Sequence, residues 1–178
     1  RTIFGDGAAA TLVSTEGIAR IGNFVIGTDG TGAENLIVKT GCARNPKPLN
    51  DLKFDDYDNP RSSDNLYMDG PAILNYSLES IPQLFKDVLD KNGEEKDGID
   101  LHVYHQANIF LANLERRKLK IAPEKYYVNI SKVGNTVSST IPIALCMAME
   151  DGSLKQGMKV LSMAQGLGYT WGGMVLYF

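Results

Sequence analysis

The stretch LHVYHQANIF, residues 101–110, reads in two halves. LHVY is a short, uninterrupted apolar run of the kind found in buried strands. From Ile109 the pattern turns helical, through IFLANLERRKL at 109–119, and stops near Ala122-Pro123. A strand that feeds a helix is the building unit of a layered α/β fold. Both histidines of the chain, His102 and His105, lie in these ten residues.

Working outward, the same alternation continues. YYVNI at 126–130 predicts a strand, SKVGNT a turn, and SSTIPIALCMAME at 138–150 a third helix, apolar enough to be buried. KVLSMAQ and YTWGGMVLYF predict a closing strand pair joined at GLG. Upstream, PAILNYSLESIPQLFKDVLD at 71–90 places Leu74, Leu78, Ile81, Phe85 and Val88 at spacings of 4, 3, 4 and 3. That is an amphipathic helix. Pro71 suits its first turn, Asn92-Gly93 ends it, and Pro82 invites a kink. Residues 2–13 and 18–27 read as two adjacent strands. Between them and the helix, Gly, Asn, Asp and Pro dominate, with a loop excursion at about 43–66. The order β-β-α-β-α-β-α-β-β predicts one α/β domain over 1–178, a mixed sheet with helices packed on it.

Composition narrows the function classes. The 178 residues suffice for one domain with a real core, and 43% hydrophobic with 22% charged is ordinary for a soluble protein. A net charge of −3 gives no general attraction to nucleic acid or to anionic membranes. No apolar run approaches the ~18 residues of a membrane span. Two cysteines are too few for a disulfide framework and fit a reducing compartment. The chain enters FGDGAAA almost at once, without an initiator Met, which suggests a longer parent protein.

Several motifs invite chemistry. GDGAAA at 5–10 matches the letters of a dinucleotide fingerprint, but TLVST after it favours a strand where that fingerprint needs a helix N-terminus. A tight turn between strands is the better reading. His102 and His105 are three apart on a strand, so they face opposite ways and cannot share a metal ion. DDYDNPRSSDN lacks the Gly and Glu of a calcium loop. Cys42 has no obvious base nearby, and Cys146 sits on the helix expected to be buried, so neither is a convincing nucleophile. His105 and Asn135 remain, each just past a predicted strand, at the sheet edge where α/β proteins bind ligands. Two donors there, with backbone N–H groups of AQGLGYTWGG, could hold an oxyanion or enolate; structural hydrogen bonding fits the pattern equally well.

Taken together, four segments resemble the C-terminal half of a β-ketoacyl-acyl-carrier-protein synthase III, of the thiolase-like condensing enzymes. FGDGAAA at 4–10 is similar to FGDGAGA, YHQAN at 104–108 to PHQAN, KVGNTVSSTIPIAL at 132–145 to YGNTSAASIPLAL, and GLGYTWGG at 166–173 to GGGFTWGS. The resemblance implies two layered αβαβα halves, with the nucleophilic Cys in an N-terminal half not contained in this sequence. It implies an acyl group taken from acyl-CoA and condensed with malonyl-acyl-carrier protein by decarboxylation, in fatty acid biosynthesis. His105 and Asn135 would then donate to the malonyl thioester oxygen, and the backbone N–H of Leu167 would form the oxyanion hole. Asn108 and Gly70 would touch the pantetheine arm, and Arg116, Arg117 and Lys118 would dock the acidic carrier. No cofactor or metal is implied beyond these substrates, and a cytoplasmic homodimer without nucleic-acid or membrane partners is expected. Phe110, Gln165 and Leu167 depart from the family pattern and point to an altered acyl substrate or carrier. The alternatives are an acyl-transferring relative in a specialised pathway and a catalytically silent partner subunit.

Overall fold

Period-two alternation along three strands divides the core between the two faces of one sheet. The computed structural model describes residues 3–178. In chain order its strands are β1 (Arg20–Ile21), β2 (Val25–Thr28), β3 (Leu36–Ile37), β4 (Lys53–Phe54), β5 (Pro60–Arg61), β6 (Tyr67–Met68), β7 (Leu101–Tyr104), β8 (Lys159–Gly166) and β9 (Thr170–Tyr177). The α-helices are α1 (Gly70–Asn92), α2 (Ile109–Lys118), the single turn α3 (Ile130–Val133) and α4 (Thr140–Glu150).

The main sheet runs β7-β8-β9, with β1 and β2 both on the far edge of β9. β7 and β8 are parallel; every other pairing in this sheet is antiparallel. Tyr104, Leu161, Met163 and Val175 point to one face and pack with Ile81, Leu84, Phe85 and Val88 of α1. Leu101, Val103, Val160 and Leu176 point to the other and pack with Ala144 and Ala148 of α4. All four residues of LHVY are therefore buried, two on each face. Asp69 caps α1 by accepting from Ala72 N–H, Gly93 ends it at φ 64°, and Pro82 lies inside it without ending it.

The excursion before α1 folds onto itself as two small ribbons, β3 with β6 and β4 with β5. Three of its aspartates are spent internally. Asp51 accepts from Ser62 and Ser63, Asp55 from Tyr57, Asn59 and Arg61, and Asp64 from Thr40, Leu49 and Asn50.

Three expectations are corrected. The strand predicted over 2–13 begins at Thr2, outside the described residues, and does not form beyond a single bridge from Phe4 to Asn135. Leu12 and Val13 are 91% and 71% exposed, with no neighbouring strand among the described residues to fill their backbone hydrogen bonds. YYVNI is not a strand either: Tyr126 makes one bridge to His102, and the chain then turns into α3. Cys146 is exposed, because the helical repeat turns Thr140, Ala144 and Ala148 inward and leaves position 146 on the opposite side.

Candidate active site

Because β7 and β8 are parallel, the residues that follow them emerge at one edge of the sheet. His105 is the first residue past β7. Its backbone N–H still donates to Met163 O at 2.8 Å, which fixes the main chain, while the ring turns toward α4. There Nδ1 lies 2.7 Å from Thr140 Oγ1, and Thr140 donates to Val137 O at 2.9 Å. Burial lowers the His105 pKa and the Val137 backbone raises it, burial being the larger influence. Nε2 has no partner among the described residues. His102 lies on the other face, against Phe85 of α1, with Nδ1 2.9 Å from Tyr104 Oη.

Asn135 follows α3 and Gly134, and its backbone is clamped in both directions. Asn135 N–H donates to Ile3 O and Gly5 N–H donates to Asn135 O, each at 3.0 Å. This is the work of the FGDG segment. A Cβ on Gly5 would run into the Val133 carbonyl, so only glycine permits the approach. The Asn135 side chain is 8% exposed, and its Oδ1 accepts from Val137 N–H at 2.8 Å. That bond fixes the orientation of the amide and leaves both Nδ2 hydrogens without a partner among the described residues.

Val137 thus serves both side chains. Its N–H orients Asn135 and its C=O orients Thr140, which orients His105. It does so at φ 55°, a left-handed conformation that β-branched residues rarely adopt and that costs ~1–2 kcal/mol. Strain of this kind collects at functional sites.

Gln106 is a further positioning residue, quoted in the sequence but given no role there. Only 1% exposed, its Oε1 accepts from Asn129 and Ile130 N–H, both at 3.0 Å, and its Nε2 donates to Tyr127 O at 3.1 Å. It ties the residue after His105 to the segment that leads to Asn135. The signal was its place beside the histidine.

The other predicted residues fall at various distances from this pair. Asn108 caps α2 at the same edge, its Oδ1 accepting from Leu111 N–H, so only its amide N–H groups are available outward. Gly70 opens α1, and a Cβ there would meet nothing within 4 Å. The first half of α1 reaches the same edge, since Tyr76 Oη donates to Thr170 O at the start of β9. Leu167 sits in the β8–β9 turn, 48% exposed; the left-handed φ belongs to Gly168, so leucine fits without strain. Gln165 is tied by Nε2 to Ser80 Oγ of α1. It borders an open apolar groove of about 450 Å³ beside Phe24, Ile26, Ile141 and Trp171. Phe110 is 66% exposed. Arg116, Arg117 and Lys118 lie at the far end of α2, roughly 10–14 Å from its start. Arg116 donates to Ile121 O at 2.9 Å, whereas Arg117 and Lys118 are exposed.

A mixed sheet between helix layers, with a histidine and an asparagine presented at one edge, defines a thiolase-like condensing fold. Residues 89–178 match the family described as 3-oxoacyl-[acyl-carrier-protein (ACP)] synthase III C terminal, and the chain belongs to that family. It is 33% identical over 181 residues to a beta-ketoacyl-[acyl-carrier-protein] synthase III of Nitratidesulfovibrio vulgaris, covering 99% of this chain and 52% of the relative. Among solved structures, a crystal structure of 3-oxoacyl-(acyl-carrier-protein) synthase III superposes with a TM-score of 0.84 at 40% identity, over 95% of this chain and 50% of that one. The enzyme of that name from Aquifex aeolicus VF5 gives 0.70 at 30% identity, over 93% and 46%. The chain spans about half the length of the curated relatives it matches.

Proposed function

We propose that this chain supplies the decarboxylating half-site of a ketoacyl synthase III, acting on malonyl-acyl-carrier protein after an acyl group has been loaded from acyl-CoA. The observation that carries the reading is the Asn135 amide: with Oδ1 held by Val137 N–H, its N–H groups remain to donate, and Val137 and Thr140 link it to the half-buried His105. A thioester oxygen that accepts from this pair gains charge as CO₂ leaves, so the bonds strengthen where they lower the barrier. The backbone N–H of Leu167 serves as the oxyanion donor for the acyl thioester, and Asn108 and Gly70 line the pantetheine path. Arg117 and Lys118 offer the carrier its exposed charges, with Arg116 partly committed to Ile121. The nucleophilic Cys comes from an N-terminal half. The exposed Ile3, Phe4, Leu12, Val13 and Ile26 suit contact with that half and with a second copy in a homodimer. No helix among the described residues is long and apolar enough to cross a membrane, and such substrates belong to the cytoplasm.

The test is CO₂ release from malonyl-acyl-carrier protein by the full-length protein. Asn135→Asp keeps the acceptor for Val137 N–H but replaces the amide donor with a carboxylate oxygen. It is expected to slow decarboxylation by at least 10²–10³-fold, the usual loss for one oxyanion donor. Wild-type protein that releases no CO₂ with any acyl primer, or an Asp variant of normal rate, overturns the reading.

A further inference from the structure

Thr140 opens α4 and is 4% exposed. Its Oγ1 makes two short contacts, 2.7 Å to His105 Nδ1 and 2.9 Å to Val137 O, yet a hydroxyl carries one proton. The Val137 carbonyl can only accept. If the hydroxyl proton went to Nδ1, two oxygens would face each other at 2.9 Å with no hydrogen between them. If it goes to the carbonyl, the hydroxyl lone pair accepts an Nδ1–H, and both contacts become hydrogen bonds. Val137 O also accepts from Thr140 N–H and is paired either way, so what decides is that the second arrangement makes both Oγ1 contacts hydrogen bonds, where the first leaves one a bare oxygen–oxygen contact.

We propose that Thr140 is a positioning residue that keeps a proton on Nδ1 of His105, so that Nε2 faces the substrate as an acceptor in the neutral ring and as a charged donor once protonated. This specifies the donor expected of His105: the charged ring rather than the neutral one. The catalytic consequence rests on the function proposed above; the tautomer does not. Decarboxylative condensation consumes one proton overall. The carboxylate leaves as CO₂, its bonding electrons form the new carbon–carbon bond, and the acyl–sulfur bond breaks to a thiolate that must be protonated. Burial works against charge on this ring and the negative charge growing on the thioester oxygen works for it; an imidazolium carrying Nε2–H, recharged from solvent, holds that oxygen with a charge-assisted bond and can supply that proton. The Thr140–Val137 chain stabilises this form because Nδ1–H keeps its acceptor throughout.

The experiment uses ¹⁵N-histidine-labelled full-length protein without substrate, read by long-range ¹H–¹⁵N NMR, with His105→Gln to assign the signal. In wild type and Thr140→Ser, neutral His105 is expected to carry its proton on Nδ1; in Thr140→Val, the proton moves to Nε2. Malonyl-carrier decarboxylation should fall about tenfold in kcat for the Val variant, with KM little changed, and stay within about twofold for Ser. Wild-type protein protonated on Nε2, or a Val variant still protonated on Nδ1, overturns the proposal, and the first needs no variant to fold. The expected tautomers with no CO₂ release by wild type would uphold the role of Thr140 and overturn the function proposed above instead.

Discussion

Replacing Gln106 with alanine tests how the histidine strand is joined to the asparagine segment. The side chain is 1% exposed and makes three hydrogen bonds to backbone, two accepted by Oε1 and one donated by Nε2. Truncation leaves Asn129 N–H, Ile130 N–H and Tyr127 C=O without it. A buried unpaired group costs about 1–3 kcal/mol. Ile130 and Tyr127 are half-buried and can recruit water, so most of the loss falls on Asn129, 3% exposed. A total of about 3 kcal/mol follows, which is somewhat over 10²-fold in an opening equilibrium. Amide hydrogen exchange reports it locally: Asn129 and Ile130 should exchange about 10²-fold faster in Gln106→Ala. The kcat for malonyl-carrier decarboxylation should fall at least about tenfold, because the segment that holds Asn135 is loosened. Unchanged exchange at both amides, together with unchanged kcat, would refute the reasoning.

Two further outcomes are expected. Burial raises the Glu115 carboxyl from 4.5 to about 8, with the Tyr126 hydroxyl, which donates to it, pulling the other way. A carboxyl whose folded pKa is raised binds more protons in the folded state, so stability is highest below pH 4.5 and is lost as pH rises toward 8. Glu115→Gln should remove that slope and stabilise the protein at pH 7 by an amount on the order of 3 kcal/mol, seen in urea unfolding at several pH values; a slope equal to wild type would sink it. Val137→Gly relieves left-handed strain of ~1–2 kcal/mol and gives back about 1 kcal/mol through the freer unfolded chain. Stability should change by no more than about 1 kcal/mol and decarboxylation should stay within about threefold, because glycine keeps the N–H and C=O that orient Asn135 and Thr140; a fall of about tenfold in kcat would show that the valine side chain, and not its backbone, does the positioning.

The helices and closing strands were legible because their signals are local. Ile81, Phe85 and Val88 announce the buried face of α1 by spacing alone, Asn92-Gly93 announces its end, and LHVY reads as a strand buried on both sides. The two failed strands share one cause. TLVST and YYVNI have the side chains of strands, but a strand exists only where a neighbour takes its amides. Leu12 and Val13 meet no such neighbour among the described residues. After Tyr126, the amides of residues 129 and 130 are claimed by Gln106, a side chain 23 and 24 residues away in sequence. Tyr126 itself is held by its ring against Tyr104, centroids 5.2 Å apart, and by its hydroxyl on Glu115. Propensity does not encode a competitor of that kind.

The site divides along the same line. His105 and Asn135 could be named from the sequence because each follows a predicted strand and carries a recognisable motif, even though the second of those strands does not form. Thr140, Val137 and Gln106 could not, because their contributions lie in backbone hydrogen bonds and in the sign of one φ. That asymmetry has a physical basis. A donor aimed at a developing charge must already be oriented before the charge appears, and side chains on a loop have too much freedom to orient themselves. Here one strained peptide does it for both: Val137 N–H holds the Asn135 amide oxygen, and Val137 C=O draws the Thr140 proton away from His105. A residue with an ordinary φ would direct its N–H and C=O elsewhere, so the strain at Val137 is the condition for orienting both groups from one peptide. Residues 135–140 are therefore a single device, and the histidine in LHVYHQANIF works only as its ligand-facing end.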